Sequence, residues 1–370
     1  PMVVVQCPEL MHLPEVTPIL VDGEVGNVYV DPSADIIARF DARNQARQQV
    51  TAHQTSVRVG TAHTRDGTRV DLPANINLLG ELPLAREMDA AGIGLYRTEF
   101  PFLIRPSFPS ETEQYLVYRQ VVAAMGDKPV VFRTLDIGGE KTLAYTDSVN
   151  EPNPELGLRS IRFTLAYRDI FEQQVRAILR AAAGRDSVGI MFPLISSVDD
   201  FLLARQVVRD CLDRLKVDGL DHNDHPAIGM MVELPSVVET MAEFAAEADF
   251  FTIGTNDLVQ YMLGVDRSNK RVADYYRPEH PSVLRTLARV VNIAADHGKP
   301  ISVCGEMGHD AAMIPFLLGI GIRRLSIDPQ FMPAVHQCIA GLAIDPCRDH
   351  ARMLLSAGSI DAVQKMLAEF

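Results

Sequence analysis

The chain has 370 residues, with 35 Lys and Arg against 48 Asp and Glu, a formal net charge of −13. Nearly half the residues are hydrophobic, and the length suits one (β/α)8 barrel of ~250 residues plus a smaller remainder. The acidic balance argues against nucleic acid as a main partner, because duplex binding relies on clustered Lys and Arg, yet it permits a small anion held by local arginines. No apolar run approaches the ~18 residues of a membrane span, so no membrane insertion is expected.

Taken in chain order, Pro1-Met2-Val3-Val4-Val5 has no preceding basic region and no cleavage signature. No signal peptide is expected, the location is expected to be cytoplasmic, and the start reads as an excised piece of a longer protein. Residues 1–35 read as β-rich, with short strands at Ile19–Asp22 and Val28–Asp31 around a Gly-containing turn. Residues 34–55 carry Arg, Gln and Ala at helical spacing and read as a linker helix, followed by a turn up to 68. A short β segment at Arg69–Leu72 ends at Pro73, which cannot donate to a ladder.

Strand and helix alternate from there. Strands are expected at Asn75–Leu78, Ile93–Tyr96, Val130–Thr134, Ile190–Leu194, Ile228–Leu234, Phe250–Ile253, Ile301–Val303 and Leu325–Ile327. Helices are expected at Glu111–Met125, Ile170–Ala183, Val198–Leu215, Ser236–Ala246, Pro281–Asp296 and Ala311–Leu318. Eight parallel strands with right-handed helical crossovers imply a closed α/β barrel over 69–345, with a helical tail over 346–370. The polar stretch from Ile137 to Asn153 is not needed for closure, and long βα loops usually carry function.

Barrel active sites form at the C-terminal ends of the strands, so the residues that end these runs are the candidates. Glu233 and Asp257 close neighbouring strands, and paired carboxylates suit Mg²⁺; strand-end acids also cap helices. Arg97, Arg133, Arg159 and Arg267 are anion candidates, since a guanidinium binds phosphate or carboxylate in bidentate fashion. Arg159 and Arg162 stand at helical spacing, which equally suits a solvated face. Lys141 follows Gly138-Gly139-Glu140 and offers a point charge; Asn256 adds a polar contact beside Asp257.

The five cysteines, Cys7, Cys211, Cys304, Cys338 and Cys347, form no Cys-x-x-Cys pair and read as reduced thiols. Cys211 and Cys338 read as core filler. Cys304 ends a strand beside Gly305 and Glu306; it suits a proton donor, because a neighbouring carboxylate keeps a thiol protonated, and it suits an inert core position as well. His63, in Gly60-Thr61-Ala62-His63, reads as an exposed histidine in a polar turn, and His222 and His225 read as a solvated loop.

Five segments in order resemble enzyme I of the bacterial phosphoenolpyruvate:sugar phosphotransferase system, including its nitrogen-related paralogue. They are Gly94–Phe100, Arg133–Lys141, Gly254–Tyr261, Val265-Asp266-Arg267 and Cys304-Gly305-Glu306. The resemblance implies phosphoenolpyruvate as phosphoryl donor, pyruvate as product, Mg²⁺ as cofactor, a homodimer, and a phosphocarrier protein reached through upstream domains. It implies that Glu233 and Asp257 bind the metal, and that Arg97, Arg133, Arg159, Arg267 and Asn256 hold the phosphate and carboxylate. Lys141 would assist, and Cys304 would protonate the enolate carbon.

The family's Gly-Gly-x-Thr-Ser-His segment, which bears the phosphorylated histidine, is not in this sequence; residues 1–35 resemble the last strands of the swivelling domain that carries it. Leu234 stands where Thr is usual, Glu155 where an apolar residue is common, and Gly308-His309 where two small residues are common. Two other readings differ in class: a ligand-binding or scaffolding module without catalysis, and a lyase acting on a 2-oxo acid through a Mg²⁺-enolate, which C–C cleavage by the purified protein would reveal.

Overall fold

A computed structural model describes residues 13–14, 17–22, 27–33, 36–37, 40, 59–103, 107–138 and 153–370. The chain divides into two compact units, Pro1–Val57 and Arg58–Phe370. In the first, β1 (Ile19–Asp22) and β2 (Asn27–Val30) pair antiparallel, with Ile19 opposite Val30. Cys7 and nearly all of the linker helix expected over 34–55 lie outside the described residues.

The second unit opens with a hairpin. β3 (Thr61–His63) runs antiparallel to β4 (Arg69–Asp71) around a turn in which Gly67 takes φ +82°. His63 is therefore exposed, as expected, but on a strand and not in a turn. The cross-strand pair Ala62 and Val70 is fully buried, and period-two alternation puts His63 and Arg69 on the outer face.

Seven parallel strands follow, each hydrogen-bonded to the next: β5 (Ala74–Ile76), β6 (Ile93–Arg97), β7 (Val130–Arg133), β8 (Val188–Phe192), β9 (Ala227–Val232), β10 (Phe251–Ile253) and β11 (Ile301–Val303). Residues 325–327 close the ring as an eighth segment. Leu325 bridges Val303 and Ile327 bridges Ala74, both parallel. Ser326 N–H donates to the Val303 carbonyl at 2.7 Å, and Asn75 N–H donates to the Ile327 carbonyl at 2.8 Å. Closure leaves this sheet without an edge.

Parity along the strands decides which side chains enter the barrel. Leu95, Met191, Met231 and Cys304 form an interior cluster, with Val131 and Phe250 against it. Tyr96, Phe132, Phe192 and Val232 face outward into the main core beneath the helices. Two residues beyond Leu95, Val131 and Met231 come Arg97, Arg133 and Glu233, so those three inherit the inward direction at the C-terminal mouth.

Helices cover the outside for the usual reason, an apolar stripe at 3.6-residue spacing. Over Arg168–Ala181 the buried side chains include Ile170, Phe171, Gln174, Val175 and Ile178. The helices Glu111–Met125 and Val198–Val217 start at Ser110 and Ser197, each with a reciprocal capping box. The single helix expected over Ser236–Ala246 is two, Pro235–Glu239 and Met241–Glu247, because Thr240 (φ −115°, ψ 25°) leaves helical geometry. No helix among the described residues is long and apolar enough to cross a membrane.

A cavity of about 290 Å³ lies at the opposite, N-terminal mouth, between Ile93, Val131, Phe250 and Ser302. None of the strand-end candidates lines it. The packing around β9 is unforgiving: a Cβ on Gly229 would stand 2.5 Å from the Phe250 carbonyl oxygen, whereas one on Gly80 meets nothing within 4 Å. Gly229→Ala should therefore lower stability by about 1–3 kcal/mol in urea titrations, and Gly80→Ala should not. Equal midpoints for the two variants would show that the strand yields at no cost.

Candidate active site

Glu233 follows β9 and is 2% exposed. Its Oε1 accepts the Leu194 N–H, while Oε2 has no hydrogen-bond partner and lies against Gly254, where a Cβ would approach to 2.9 Å. Leu194 donates from a left-handed backbone at φ +51°, a conformation that costs a non-glycine residue roughly 1–2 kcal/mol. Asp257 stands in the first turn of the helix Thr255–Leu263. Its Oδ1 also lacks a hydrogen bond, with Arg267 Nη2 at 3.6 Å, and its Oδ2 lies 3.9 Å from Arg159 Nη2. Burial, then the charges of Asp257 and Asp136, push the Glu233 carboxyl up to about 8. Two buried acids, each with an unsatisfied oxygen, are costly unless a cation joins them, and hard oxygen donors fit a divalent ion such as Mg²⁺.

The arginines face these acids. Arg97 and Arg133 are register partners across β6 and β7. Arg97 is half-buried, and its Nη1 donates to Asn77 Oδ1 at 2.8 Å. Arg133 is buried; its Nη2 pairs with the Glu99 carboxylate and with Asp136 Oδ2 at 3.0 Å. Arg159 is buried too. Its Nη1 pairs with the Glu155 carboxylate and donates to Tyr261 Oη at 3.0 Å, and its Nη2 reaches Asp136 Oδ1 at 3.2 Å. Burial opposes both guanidinium charges, but the surrounding acids outweigh it and raise both above the ordinary arginine value. Asp136 thus bridges two arginines from different segments. Arg162, three residues on, is exposed and donates to the Leu156 and Gly157 carbonyls.

Among the described residues, Arg133 pairs with Glu99 and Asp136, Arg159 with Asp136, Glu155 and Asp257, and Arg267 with Asp257, while Asp328 lies in the field of Arg97. Lys141 lies outside the described residues.

Cys304 follows β11 and is 4% exposed, with Sγ 3.6 Å from the Ile253 carbonyl. Burial pushes its thiol up to about 12, against the lowering effect of Arg97 and Arg133. Burial leads in holding the thiol protonated, and the carboxylates that add to it are Glu233 and Asp257 and not the adjacent Glu306. Glu306 is exposed, with its N–H on Asn256 Oδ1 at 2.9 Å and its carboxylate accepting from Asn256 Nδ2 at 3.3 Å. Asn256 is half-buried beside Asp257. Gly305 permits this contact, since a Cβ there would stand 1.9 Å from Thr255 Oγ1.

Sequence reasoning assigned no role to Glu99, Asp136, Asn75 or Tyr261. Asn75 Nδ2 donates to the Cys304 carbonyl at 3.1 Å and its Oδ1 accepts from Ser326 Oγ at 2.7 Å, fixing the backbone of the thiol across the closure seam. Tyr261 accepts from Arg159 and donates to the Glu155 carbonyl at 2.7 Å. Acids two or three residues beyond each strand-end arginine were the available signal. Of the departures from the family pattern, Glu155 contributes a carboxylate to Arg159, Leu234 is buried, and His309 stacks flat on Phe331 with centroids 4.2 Å apart.

Fold and charge ring together define an α/β barrel that concentrates ionised groups at the C-terminal mouth. Residues 51–344 match the family described as "PEP-utilising enzyme, PEP-binding domain", and the chain belongs to that family. It is 37% identical over 353 residues to Multiphosphoryl transfer protein 1 of Escherichia coli (strain K12), covering 95% of this chain and 42% of that protein. It is 38% identical over 352 residues to the Phosphoenolpyruvate-protein phosphotransferase of Staphylococcus aureus, covering 95% of this chain and 61% of that one. The chain thus spans less than two thirds of these relatives. A solved citrate lyase from Burkholderia xenovorans LB400 superposes with a TM-score of 0.48 at 15% identity, covering 81% of this chain and 92% of its own.

Glu233 gives the metal-free protein a pH signature. Its folded value of about 8 lies above the 4.5 of the free group, so the folded chain holds a proton that the unfolded chain has released. Stability from this group is complete below pH 4.5 and is lost as pH rises towards 8. In EDTA, Glu233→Gln should therefore match the parent near pH 4.5 and exceed it above pH 8 by up to a few kcal/mol in urea titrations. A constant difference across that range would mean that Glu233 titrates normally.

Proposed function

We propose that this chain is the Mg²⁺-dependent phosphoenolpyruvate-binding region of a phosphoenolpyruvate-protein phosphotransferase. In this reading it works in the cytoplasm as a homodimer. It delivers a phosphoryl group to a histidine on an upstream domain, from which a phosphocarrier protein receives it. Residues 1–35 would be the last strands of that domain, 36–68 the linker, 69–345 the barrel and 346–370 the tail.

The observation that carries the proposal is the pair of buried acids, Glu233 and Asp257, each with an oxygen that has no hydrogen bond, set among arginines. Carboxylates interleaved with these arginines oppose an anion that bears both a phosphate and a carboxylate. One divalent cation held by Glu233 and Asp257 would offset that opposition. Bound there, Mg²⁺ would neutralise charge on the phosphate and on the developing enolate oxygen.

The chain's own residues do the rest. Arg97 and Arg267 are the more accessible guanidiniums and meet the anion first. Arg133 and Arg159, already fixed by Asp136, supply oriented donors at little reorganisation cost. Asn256 would add a polar contact, and Lys141 is assigned an assisting role by the family resemblance alone. Transfer breaks the phosphorus–oxygen bond of phosphoenolpyruvate and forms a phosphorus–nitrogen bond to the acceptor histidine, and the electron pair stays on the enolate oxygen. Cys304 then gives its thiol proton to the terminal enolate carbon, yielding pyruvate, and the thiolate regains a proton from solvent. A thiol held protonated by burial suits that role.

Calorimetry tests the binding step. Phosphoenolpyruvate should bind with Mg²⁺ present and lose most affinity in EDTA. Asp257→Ala should abolish the metal effect. Glu239→Ala should not, since Glu239 pairs with Arg289 on the surface at 2.7 Å. Equal affinity in EDTA would remove the metal from the reading.

Turnover tests the thiol. In the full-length protein Cys304→Ser should bind phosphoenolpyruvate nearly normally but form pyruvate about 10²–10⁴-fold more slowly. Cys211→Ser, a buried control among helices, should lose a little stability and no activity. An unchanged rate for Cys304→Ser would return the residue to core filler.

A further inference from the structure

We infer that Leu194 is a positioning residue whose left-handed backbone aims the Glu233 carboxylate at the centre of the mouth. The inference rests on the reading of Glu233 as a metal ligand.

β8 ends at Phe192, and Pro193 offers no N–H to continue its ladder. The next residue turns to φ +51° and sends its N–H to Glu233 Oε1. With Oε1 held, Oε2 is the oxygen left free, and it lies in the space that Gly254 keeps open. A leucine is a poor choice for this backbone. Glycine and asparagine enter the left-handed region readily, and bulky or branched residues resist it. Leu194 stays there because its side chain is 1% exposed and anchored in the core around the barrel. The side chain therefore serves packing, and the strained amide serves Glu233. Those two duties make opposite demands on a substitution.

Leu194→Ile preserves volume and apolarity but puts a branch on Cβ, where the left-handed backbone is most crowded. Leu194→Asn discards the apolar contact yet accepts the backbone. Mn²⁺ serves as the probe, followed by calorimetry on the chain without phosphoenolpyruvate, with folding checked by circular dichroism. Leu194→Ile should weaken Mn²⁺ binding at least about tenfold, the lower end of losses when a ligand's supporting hydrogen bond is disturbed, while Leu194→Asn stays within about threefold of the parent.

A role in packing alone predicts the reverse order, and that order would overturn the inference. Should Leu194→Ile fail to fold, Leu194→Asn decides by itself: retained affinity in a destabilised protein supports positioning, and lost affinity refutes it. Glu233→Gln separates the two levels. If it abolishes Mn²⁺ binding while Leu194→Ile leaves it intact, only the role of Leu194 falls. If the unsubstituted chain binds no Mn²⁺, the metal reading falls and this inference with it.

Discussion

Asp136 is the point on which the mouth of the barrel depends. One carboxylate takes Arg133 at 3.0 Å and Arg159 at 3.2 Å, and all three groups are buried. Two guanidiniums so close repel each other, and burial removes the water that would screen them. An acid between them converts repulsion into a fixed, hydrogen-bonded array, which is the condition under which buried charge is tolerated. Such a triad is poor evidence for stability, because apolar replacements of similar volume often stabilise a protein as well or better. Its retention at a barrel mouth fits a surface organised to meet charge.

That array explains how much of the site was legible in the sequence. A strand that lines a barrel alternates inward and outward, so Leu95 predicts Arg97, Val131 predicts Arg133 and Met231 predicts Glu233. Type and spacing sufficed there, because closure leaves a strand-end side chain only the mouth or the outer core. The eight strands were legible for a related reason. Parallel strands buried on both faces read as continuous apolar runs, and each was found within a few residues of its expected place.

What was not legible depends on loops. Glu99 and Asp136 stood in plain sight within recognised segments, but which acid reaches which arginine is set by backbone geometry beyond the strands. Arg159 and Arg162 are three residues apart, and only the former is buried. Sequence spacing could not separate them. Gly138, at φ +107° with a would-be Cβ 2.4 Å from Arg159 Cβ, shows the close approach that does. The thiol shows a different limit: the adjacent Glu306 suggests a carboxylate that raises it, whereas burial leads and the acids that add to it, Glu233 and Asp257, come from other segments. His63 was placed in a turn because its flanks are polar, yet the buried pair of Ala62 and Val70 draws those residues into a hairpin.

The two buried acids with unsatisfied oxygens, Glu233 and Asp257, give the parts a common logic. Without added cations, relief can come from a proton on Glu233, the most buried of the acids around Asp257, and its raised value is the sign of that relief. In the proposed reading a divalent ion held by Glu233 and Asp257 would relieve the same strain, since each offers an oxygen without a hydrogen bond. In that reading, proton and metal would compete for Glu233. An anion entering afterwards would meet Arg97 and Arg267 at the accessible side of the mouth, with the Asp136-bound pair behind. In the proposed reading, an acid-rich ring would make anion affinity conditional on the cation, so that binding and release become two settings of one electrostatic balance.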